Sequence, residues 1–272
     1  PVILREDGRV IYTLASVVDD IDFKVTDILR GEDHMTNSAA QIQLFEALGS
    51  SAPRLGHLSL LTDISGSGLS KRLGSLSLKD LRQLGFEPMA ISSLLSKVGT
   101  SDPIDVFKDI TQIIKEFDIN KFGKSKPKFD KNELSNLNSK FFQLMDYEDI
   151  SYKLKKMGLD ITKEFWYLIR GNIKILDDVK VWMNVCFGNI QTKNIDDDFI
   201  SLALKLLPQD QFNENTWSIW TNLLKIESGK KGKDLYKPLR LCLTGQDNGP
   251  EMASLISIMG RDKVIERLSF DT

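Results

Sequence analysis

The feature of the sequence that most constrains the fold is a change of hydrophobic pattern near residue 76. Before it, the segments RVIYTLASVV (9–18) and PRLGHLSLL (53–61) are rich in the β-branched, aromatic and aliphatic residues of strands. Between them, TNSAAQIQLFEALG (36–49) has apolar residues at helical spacing and a terminal glycine. After residue 76 the pattern remains helical. This order predicts half of a doubly wound α/β sheet followed by a mostly α-helical remainder.

Two of the helical segments predict specific caps and faces. In 36–49 we expect Thr36 or Asn37 as the N-cap, and a buried face formed by Ile42, Phe45 and Leu48. In the last segment, Pro250 fits the first helical position. The residues that would share its apolar face are Met252, Leu255 and Met259. The segment 19–29 is compatible with either a helix or a second short strand.

The composition is that of a globular protein and limits the function classes. Of the 272 residues, 41% are hydrophobic and 27% are charged, so global disorder is not expected. The net charge of −2 argues against a basic surface over the whole chain, so a polyanion would have to meet local patches. No apolar run approaches the ~20 residues of a membrane span. We also expect no signal peptide and no membrane association.

The cysteines and the first residue indicate the setting of the chain. Cys186 and Cys242 fit neither a C-x-x-C metal site nor a disulfide framework, which favours a reducing, cytoplasmic location. The chain begins at Pro1 rather than at a Met, and we interpret it as part of a longer protein.

The loop DISGSGLSKRLGSLSL (63–78) places two cations, Lys71 and Arg72, in a run of Ser and Gly. Gly and Ser let backbone amides approach an anion closely, and Lys and Arg supply charge that can follow a phosphate. Taken alone, the motif favours a surface turn that carries two solvated cations over a phosphate site.

Several segments, in order, resemble bacterial glutamyl-tRNA synthetase, a class I aminoacyl-tRNA synthetase, over essentially the whole chain. They are YTLASVVDD, ILRGEDHMTNSAAQIQLFEALG, PRLGHLSLL, GLSKR with GSLSLKDLRQLGFEPMAISSLL, FDKNELSNLNSKF and GKKGKDLYKPLRLCLTGQDNGPE. The resemblance implies ATP-dependent activation of L-glutamate to glutamyl-adenylate. It also implies transfer to the 3′-terminal adenosine of tRNA(Glu), or of tRNA(Gln), with Mg²⁺ carried by ATP.

One family element is absent from the sequence. Neither His34 nor His57 stands in a His-x-Gly-His motif, which is the first signature of the family. We therefore expect the C-terminal portion of such an enzyme, monomeric, without zinc in this portion and inactive by itself.

The resemblance divides the chain into three parts. Residues 1–64 would be the C-terminal half of a Rossmann-like catalytic domain. Residues 65–147 would form a helical stem-contact domain that opens with the GLSKR loop. Residues 148–272 would form an all-α anticodon-binding domain, with a joint between two subdomains near 192–198.

Residue roles in ATP binding follow from the same resemblance. Lys71 would be the catalytic cation that stabilises charge developing on the α-phosphate. The ATP-binding set comprises Asp33, Gly68, Leu69, Ser70, Lys71 and Arg72. The family usually has Lys where Gly68 stands, so one phosphate-directed charge is missing from this chain.

Glutamate would be recognised by Arg30, with Tyr12 and Ser16 beside it. A guanidinium grips a carboxylate bidentately, and residues 12 and 16 would share a face of a strand. The residues alone leave other roles open: Tyr12 could pack in the core, and His34 could act as a cap. Arg30 could instead form an ion pair with Asp27, Glu32 or Asp33. Asp19 and Asp20 are adjacent and would point to opposite faces of a strand, which favours capping over a metal site.

Two basic segments, 121–131 and 229–240, are candidates for tRNA contacts. Their candidate residues are Lys124, Lys126, Lys230, Lys231, Lys233 and Arg240. Solvated loops remain the alternative for both. The resemblance assigns the first segment to the inner corner of tRNA and the helical C-terminal part to the anticodon. Most of the four Trp residues are expected in the core.

Three other interpretations of the whole chain were compared: one stays open and two are argued against. The chain could be a non-catalytic tRNA-binding module derived from such an enzyme. A glutaminyl-tRNA synthetase has β-barrels in its anticodon part, and the helical pattern after residue 147 argues against it. The length excludes the short relatives that form glutamyl-queuosine.

Overall fold

The computed structural model describes residues 2–69, 77–190 and 197–269. Within these ranges the protein has two β-strands and thirteen α-helices. The chain divides into two compact units. The first comprises residues 1–77, 93–105 and 111–131, and the second comprises residues 78–92, 106–110 and 132–272.

The first unit is built on two parallel strands joined by a helix. Strands β1 (Asp27–Gly31) and β2 (Arg54–Leu58) pair in parallel, with Arg30 opposite His57. Helix α2 (Met35–Ala47) connects them, and α1 (Tyr12–Asp22) packs against α2. A parallel pair needs such a crossover, because a tight turn cannot join strands that run in the same direction. The predicted α/β half followed by helices is confirmed.

The prediction of a strand over 9–18 is wrong. Residues from Tyr12 onward form α1, and only Val10 takes part in a β-bridge, antiparallel to Leu4. Leu14, Val17 and Ile21 recur at helical spacing, and Val17 is fully buried. Packing of this face against α2 outweighs the strand propensity of the β-branched residues. The undecided segment 19–29 ends in β1.

Helix α2 begins earlier than predicted and buries a different face. Its first residue is Met35 and its N-cap is His34, so neither Thr36 nor Asn37 caps it. The buried residues of α2 are Ser38, Gln41 and Phe45. Of the predicted face, Ile42 is 37% exposed and Leu48 is 51% exposed. The pattern of apolar residues misses this face because two of its three buried members are polar.

The other helices follow in sequence. They are α3 (Leu78–Gln83), α4 (Pro88–Lys97), α5 (Ile110–Glu116), α6 (Lys131–Leu144), α7 (Tyr147–Lys156), α8 (Lys163–Ile169), α9 (Asp178–Phe187), α10 (Asp197–Lys205), α11 (Thr216–Ser228), α12 (Lys233–Thr244) and α13 (Met252–Leu268).

A continuous hydrophobic core extends through the second unit, from Phe141 to Leu268. Trp166 and Trp220 are fully buried in it, and Trp182 is buried as well. The predicted apolar face of α13 is confirmed, since Met252, Leu255 and Met259 are all buried. Pro250 is not at the first helical position, because α13 begins at Met252 with Glu251 as its N-cap.

Membrane spans were sought among the same described residues. In the ranges 2–69, 77–190 and 197–269, no helix combines the length and the apolar character that crossing a bilayer requires.

Candidate functional site

The C-terminal ends of β1 and β2 open onto a cleft of about 610 Å³. Ligands of α/β proteins bind outside this edge of a parallel sheet, and small-ligand sites have volumes of roughly 300–1,000 Å³. The residues that line the cleft are Arg30, Gly31, Leu58, Ser59, Leu60, Leu61, Thr62, Gly66, Gly68, Leu69 and Lys126. The cleft is therefore the candidate site of the first unit.

Arg30 is held at the end of β1 by neutral side chains. Its Nη2 donates hydrogen bonds to Ser38 Oγ and, at 2.7 Å, to Gln41 Oε1. Gln41 Nε2 in turn donates to Ser16 Oγ of α1 at 2.6 Å. Arg30 Nε is buried and has no hydrogen-bond partner within the described part of the chain. The guanidinium is thus oriented by neutral groups, with no carboxylate hydrogen-bonded to it among the described residues.

Ser38 is the junction of this network. Its Oγ lies 2.7 Å from Nε2 of His57 on β2 and 3.1 Å from the backbone oxygen of His34. A hydroxyl carries one proton, so a Ser38 that donates to the His34 carbonyl must accept from both Arg30 and His57. The hydroxyl therefore joins groups from β1, β2 and the start of α2.

The alternative in which Arg30 forms an ion pair is not observed. Within the described residues, Arg30 has no ion pair with Asp27, Glu32 or Asp33. Asp27 pairs instead with Arg54, at 2.7 Å, and the hydrogen bonds from Arg54 and then Thr26 lower the pKa of Asp27.

Tyr12 lies outside the core, at the first turn of α1. Its side chain is 54% exposed, and its ring meets that of His34 edge to face, with 5.8 Å between centroids. Tyr12 and Ser16 are four residues apart on a helix, so they share a face even though the predicted strand is wrong. The core role for Tyr12 is therefore excluded.

Asp19 and Asp20 belong to the same helix. Burial raises the pKa of Asp20, the neighbouring Asp19 raises it further, and Arg30 lowers it. Among the described residues, no group of three or more His, Cys, Asp and Glu side chains could hold a metal ion.

Asp33 is exposed and follows β1 directly, in a 3₁₀ turn over Glu32–His34. The preceding Gly31, the last residue of β1, has an extended backbone with φ −66° and ψ 149°. A Cβ at Gly31 would overlap Asp33 Oδ1 and would lie 2.8 Å from Leu60 Cδ2. Only glycine allows this close approach of the Asp33 carboxylate to the end of the strand.

The loop after β2 is organised by Asp63. Its backbone N–H donates to the Ser67 carbonyl at 2.8 Å, and its carboxylate accepts from the Ser67 N–H at 2.9 Å. Hydrogen bonds led by the Ser65 hydroxyl lower the pKa of Asp63. Beyond this turn, Gly68 and Leu69 line the cleft. The predicted site residues Ser70, Lys71 and Arg72 lie outside the described residues.

The first basic segment passes along the cleft. Lys124 and Lys126 are both exposed, and Lys126 lines the cleft. The Lys124 carbonyl accepts a hydrogen bond from Ser59 Oγ at 2.9 Å. A residue predicted from its charge to meet tRNA thus stands in the same cavity as Arg30.

The second basic segment contains exposed lysines and side chains that contact other residues. Lys231 and Lys233 are exposed, whereas Lys230 places its Nζ 4.8 Å from the centroid of the Phe199 ring. Arg240 is partly buried, and its Nη2 donates to the Pro250 carbonyl at 2.8 Å. Burial lowers the pKa of Arg240. Arg240 therefore ties α12 to the chain that precedes α13.

Three residues of the network were not singled out from the sequence: Ser38, Gln41 and His57. Ser38 and Gln41 have the same helical spacing as the buried Phe45, and this was the available signal for the first two. His57 had no local signal, because its role comes from its register opposite Arg30.

Comparisons with known proteins show the family of the chain. Residues 1–136 match the model of the catalytic domain of class I (E and Q) tRNA synthetases. Residues 164–270 match the model of an anticodon binding domain.

Relatives similar in sequence are glutamate–tRNA ligases. The chain is 46% identical over 270 residues to glutamate–tRNA ligase 1 of Maricaulis maris (strain MCS10), covering 99% of this chain and 61% of the relative. It is 44% identical over 272 residues to glutamate–tRNA ligase 1 of Chelativorans sp. (strain BNC1), covering 98% and 60%. The chain thus spans about 60% of the length of these relatives.

A solved structure is similar in fold. It is a glutamate tRNA ligase from Elizabethkingia meningosepticum CCUG26117 in complex with its amino acid. The TM-score is 0.78 at 23% identity, and the match covers 98% of this chain and 60% of that one. At this identity the likeness shows the fold alone.

Proposed function

Because the chain belongs to the class I tRNA synthetases of the E and Q group, we propose that it is part of a glutamate–tRNA ligase. The ligase uses ATP to convert L-glutamate to glutamyl-adenylate and transfers the glutamyl group to the 3′-terminal adenosine of tRNA(Glu), or of tRNA(Gln). Its location is the cytoplasm, and its three parts are residues 1–64, 65–147 and 148–272.

One observation carries the proposal: a guanidinium fixed by neutral partners at the carboxyl end of a parallel strand, where a cleft opens. Ser38 and Gln41 orient Arg30 through hydrogen bonds and supply no counterion. A substrate carboxylate would provide that counterion, and charge-assisted hydrogen bonds to it are stronger than neutral ones. Tyr12 and Ser16, on the adjacent face of α1, complete the glutamate site.

The chemistry of glutamyl-adenylate formation explains the roles proposed for residues 68–72. A carboxylate oxygen of glutamate attacks the α-phosphorus of ATP, an acyl–phosphate bond forms, and pyrophosphate leaves. Two anions meet and negative charge builds on the phosphate, so preorganised donors and cations lower the barrier. We assign this work to Lys71, with Gly68, Leu69, Ser70 and Arg72.

Asp33 and Mg²⁺ have separate parts in nucleotide binding. The Asp33 carboxylate accepts hydrogen bonds from ribose hydroxyls. We assign Mg²⁺ to the ATP phosphates, which are its usual ligands in sites of this kind. In the second step, the adenosine hydroxyl attacks the activated carbonyl and AMP leaves.

A second candidate is a non-catalytic tRNA-binding module. It is favoured by one observation, that neither His in the sequence belongs to a His-x-Gly-His element. In both candidates the chain binds tRNA, with Lys124, Lys230, Lys231, Lys233 and Arg240 as the proposed contacts.

The test is titration of the 272-residue chain with a tRNA(Glu) transcript, with the same transcript carrying a swapped anticodon, and with tRNA(Gln). We expect tighter binding of the correct anticodon and a loss of affinity with salt, because phosphate contacts release counterions. Equal affinity for both anticodons would contradict anticodon recognition by residues 148–272.

Glutamate-dependent ATP–pyrophosphate exchange tests the non-catalytic candidate, because only a positive result distinguishes it from the ligase. We expect no exchange from this chain alone. Exchange that requires L-glutamate would show a complete catalytic site and would rule out the non-catalytic module.

A further inference from the structure

Lys126 stands out among the residues that line the cleft. Of the described lining residues, only Lys126 and Arg30 carry a charge, and both charges are positive. Arg30 Nη2 is already engaged by Ser38 and Gln41, whereas Lys126 forms no ion pair or hydrogen bond through its ammonium within the described structure. The described part of the cleft therefore has a net positive charge, and its one uncommitted cation is the Lys126 ammonium.

The backbone on both sides of Lys126 is held in place. The Lys124 carbonyl accepts from Ser59 Oγ at 2.9 Å, and the Pro127 carbonyl accepts from the Thr62 N–H at 2.9 Å. The Phe129 N–H donates to the Thr62 carbonyl at 2.8 Å. The Lys126 side chain thus starts from a fixed point beside the segment that follows β2, as a preorganised binding group requires.

The loop that follows β2 forms one wall of the cleft, the loop wall. Its residues Gly66 and Gly68 line the cleft and have no side chain that could carry a charge. A Cβ added at Gly66 or at Gly68 would meet nothing within 4 Å, so open space lies beside both residues. Thr62 forms β-bridges with Gly68 and with Lys128, which brings the loop wall and the 126–128 segment alongside one another.

We propose that Lys126 binds the phosphate chain of the ligand in this cleft and supplies the charge that Gly68 cannot. The assignment of that ligand as ATP rests on the proposed function, whereas the phosphate site rests on the geometry of the cleft. A small nucleotide suits the site better than the backbone of a tRNA, because the volume of about 610 Å³ is that of a small-ligand pocket. The role replaces the tRNA contact expected for Lys126 from its charge.

The test compares three variants of the 272-residue chain by calorimetric titration with ATP, adenosine and inorganic tripolyphosphate. Lys126→Met removes the charge, and Lys126→Arg retains a cation. Lys128→Met is the matched control, because Lys128 is an exposed lysine two residues away that does not line the cleft.

We expect Lys126→Met to weaken the binding of ATP and of tripolyphosphate by about 10- to 100-fold, the range for one hydrogen bond to a charged group. Adenosine affinity stays unchanged, Lys126→Arg restores most of the loss, and Lys128→Met matches the original chain. Equal affinities of the Lys126→Met and Lys128→Met variants for ATP and tripolyphosphate would overturn the inference. In that case, ATP binding by the original chain would still support the proposed function.

Other outcomes separate the two proposals. Tripolyphosphate binding that depends on Lys126, without any binding of ATP, would support the phosphate site and contradict the proposed nucleotide. If the original chain binds neither ligand, both are wrong. A Lys126→Met variant that changes only the salt dependence of tRNA binding would assign the residue to RNA and overturn the inference.

Discussion

At the scale of single residues, Ser38 connects groups from three elements through one hydroxyl. It accepts from Arg30 of β1, lies 2.7 Å from His57 Nε2 of β2, and bonds the His34 carbonyl at the start of its own helix. Its side chain is buried, so a partner that loses the hydroxyl cannot turn to bulk water. A buried polar group left without a partner costs roughly 1–3 kcal/mol.

We expect Ser38→Ala to lower the stability of the first unit by roughly 1–3 kcal/mol. It should also weaken L-glutamate binding, because Arg30 loses one of its two anchors. Native-state hydrogen exchange of the amides of β1 and β2 measures the first effect within one unit, which a global unfolding curve of a two-unit chain would not. Ser51→Ala, at an exposed position, is the control, and an equal loss in both variants would contradict the role of Ser38.

At the scale of elements, α6 connects two loops of the second unit through Asn138. Asn138 is fully buried, and its Oδ1 accepts from the Glu87 N–H at 2.8 Å. Its Nδ2 donates to the Lys174 carbonyl at 2.5 Å and lies 3.4 Å from the Gly85 carbonyl. One amide therefore satisfies backbone groups from the α3–α4 connection and from the segment before α9.

We expect Asn138→Ala to destabilise the second unit by roughly 1–3 kcal/mol for each backbone group that is left unpaired. All four Trp residues belong to the second unit, so tryptophan fluorescence during urea denaturation reports on this unit. Asn136→Ala is the matched control, because Asn136 is an exposed asparagine on the same helix. Indistinguishable midpoints of the two variants would refute the role of Asn138.

At the scale of the whole molecule, both cysteines of the sequence are enclosed in the second unit. Cys186 and Cys242 are fully buried, and burial raises the pKa of each thiol to about 12. The thiolate is the reactive form, so neither side chain is a nucleophile at neutral pH. The cysteines therefore serve packing, in agreement with the absence of a metal or disulfide pattern in the sequence.

We expect no thiol of the folded chain to react with a disulfide reagent at pH 8. In the unfolded chain, both thiols should react. Stability should fall as the pH rises from about 9 to about 12, because the unfolded thiols ionise before the folded ones. A reagent assay in native buffer and in guanidinium checks the first statement. Rapid labelling of the native chain would mean that the thiols are accessible.

Much of the fold is predictable because regular spacing records local structure. Helices α2 and α13 are evident in the apolar pattern, and Gly49 follows α2 with positive φ, as the sequence indicates. The segment 9–18 was misassigned because β-branched residues favour strands in isolation, whereas contact with α2 selects a helix.

The residues of the candidate site were likewise only partly predictable from local sequence. Arg30 and Asp33 were identified from their motif, but Ser38, Gln41 and His57 were not, because a buried polar residue interrupts the apolar pattern that reveals a core. The sequence by itself determined α2, β2, the helical second half and the family, all of which depend on neighbours along the chain. Only the tertiary structure decided the partners of Arg30, the placing of Lys126 in the cleft and the engagement of Arg240, because these contacts join residues distant in sequence and depend on strand register and helix packing.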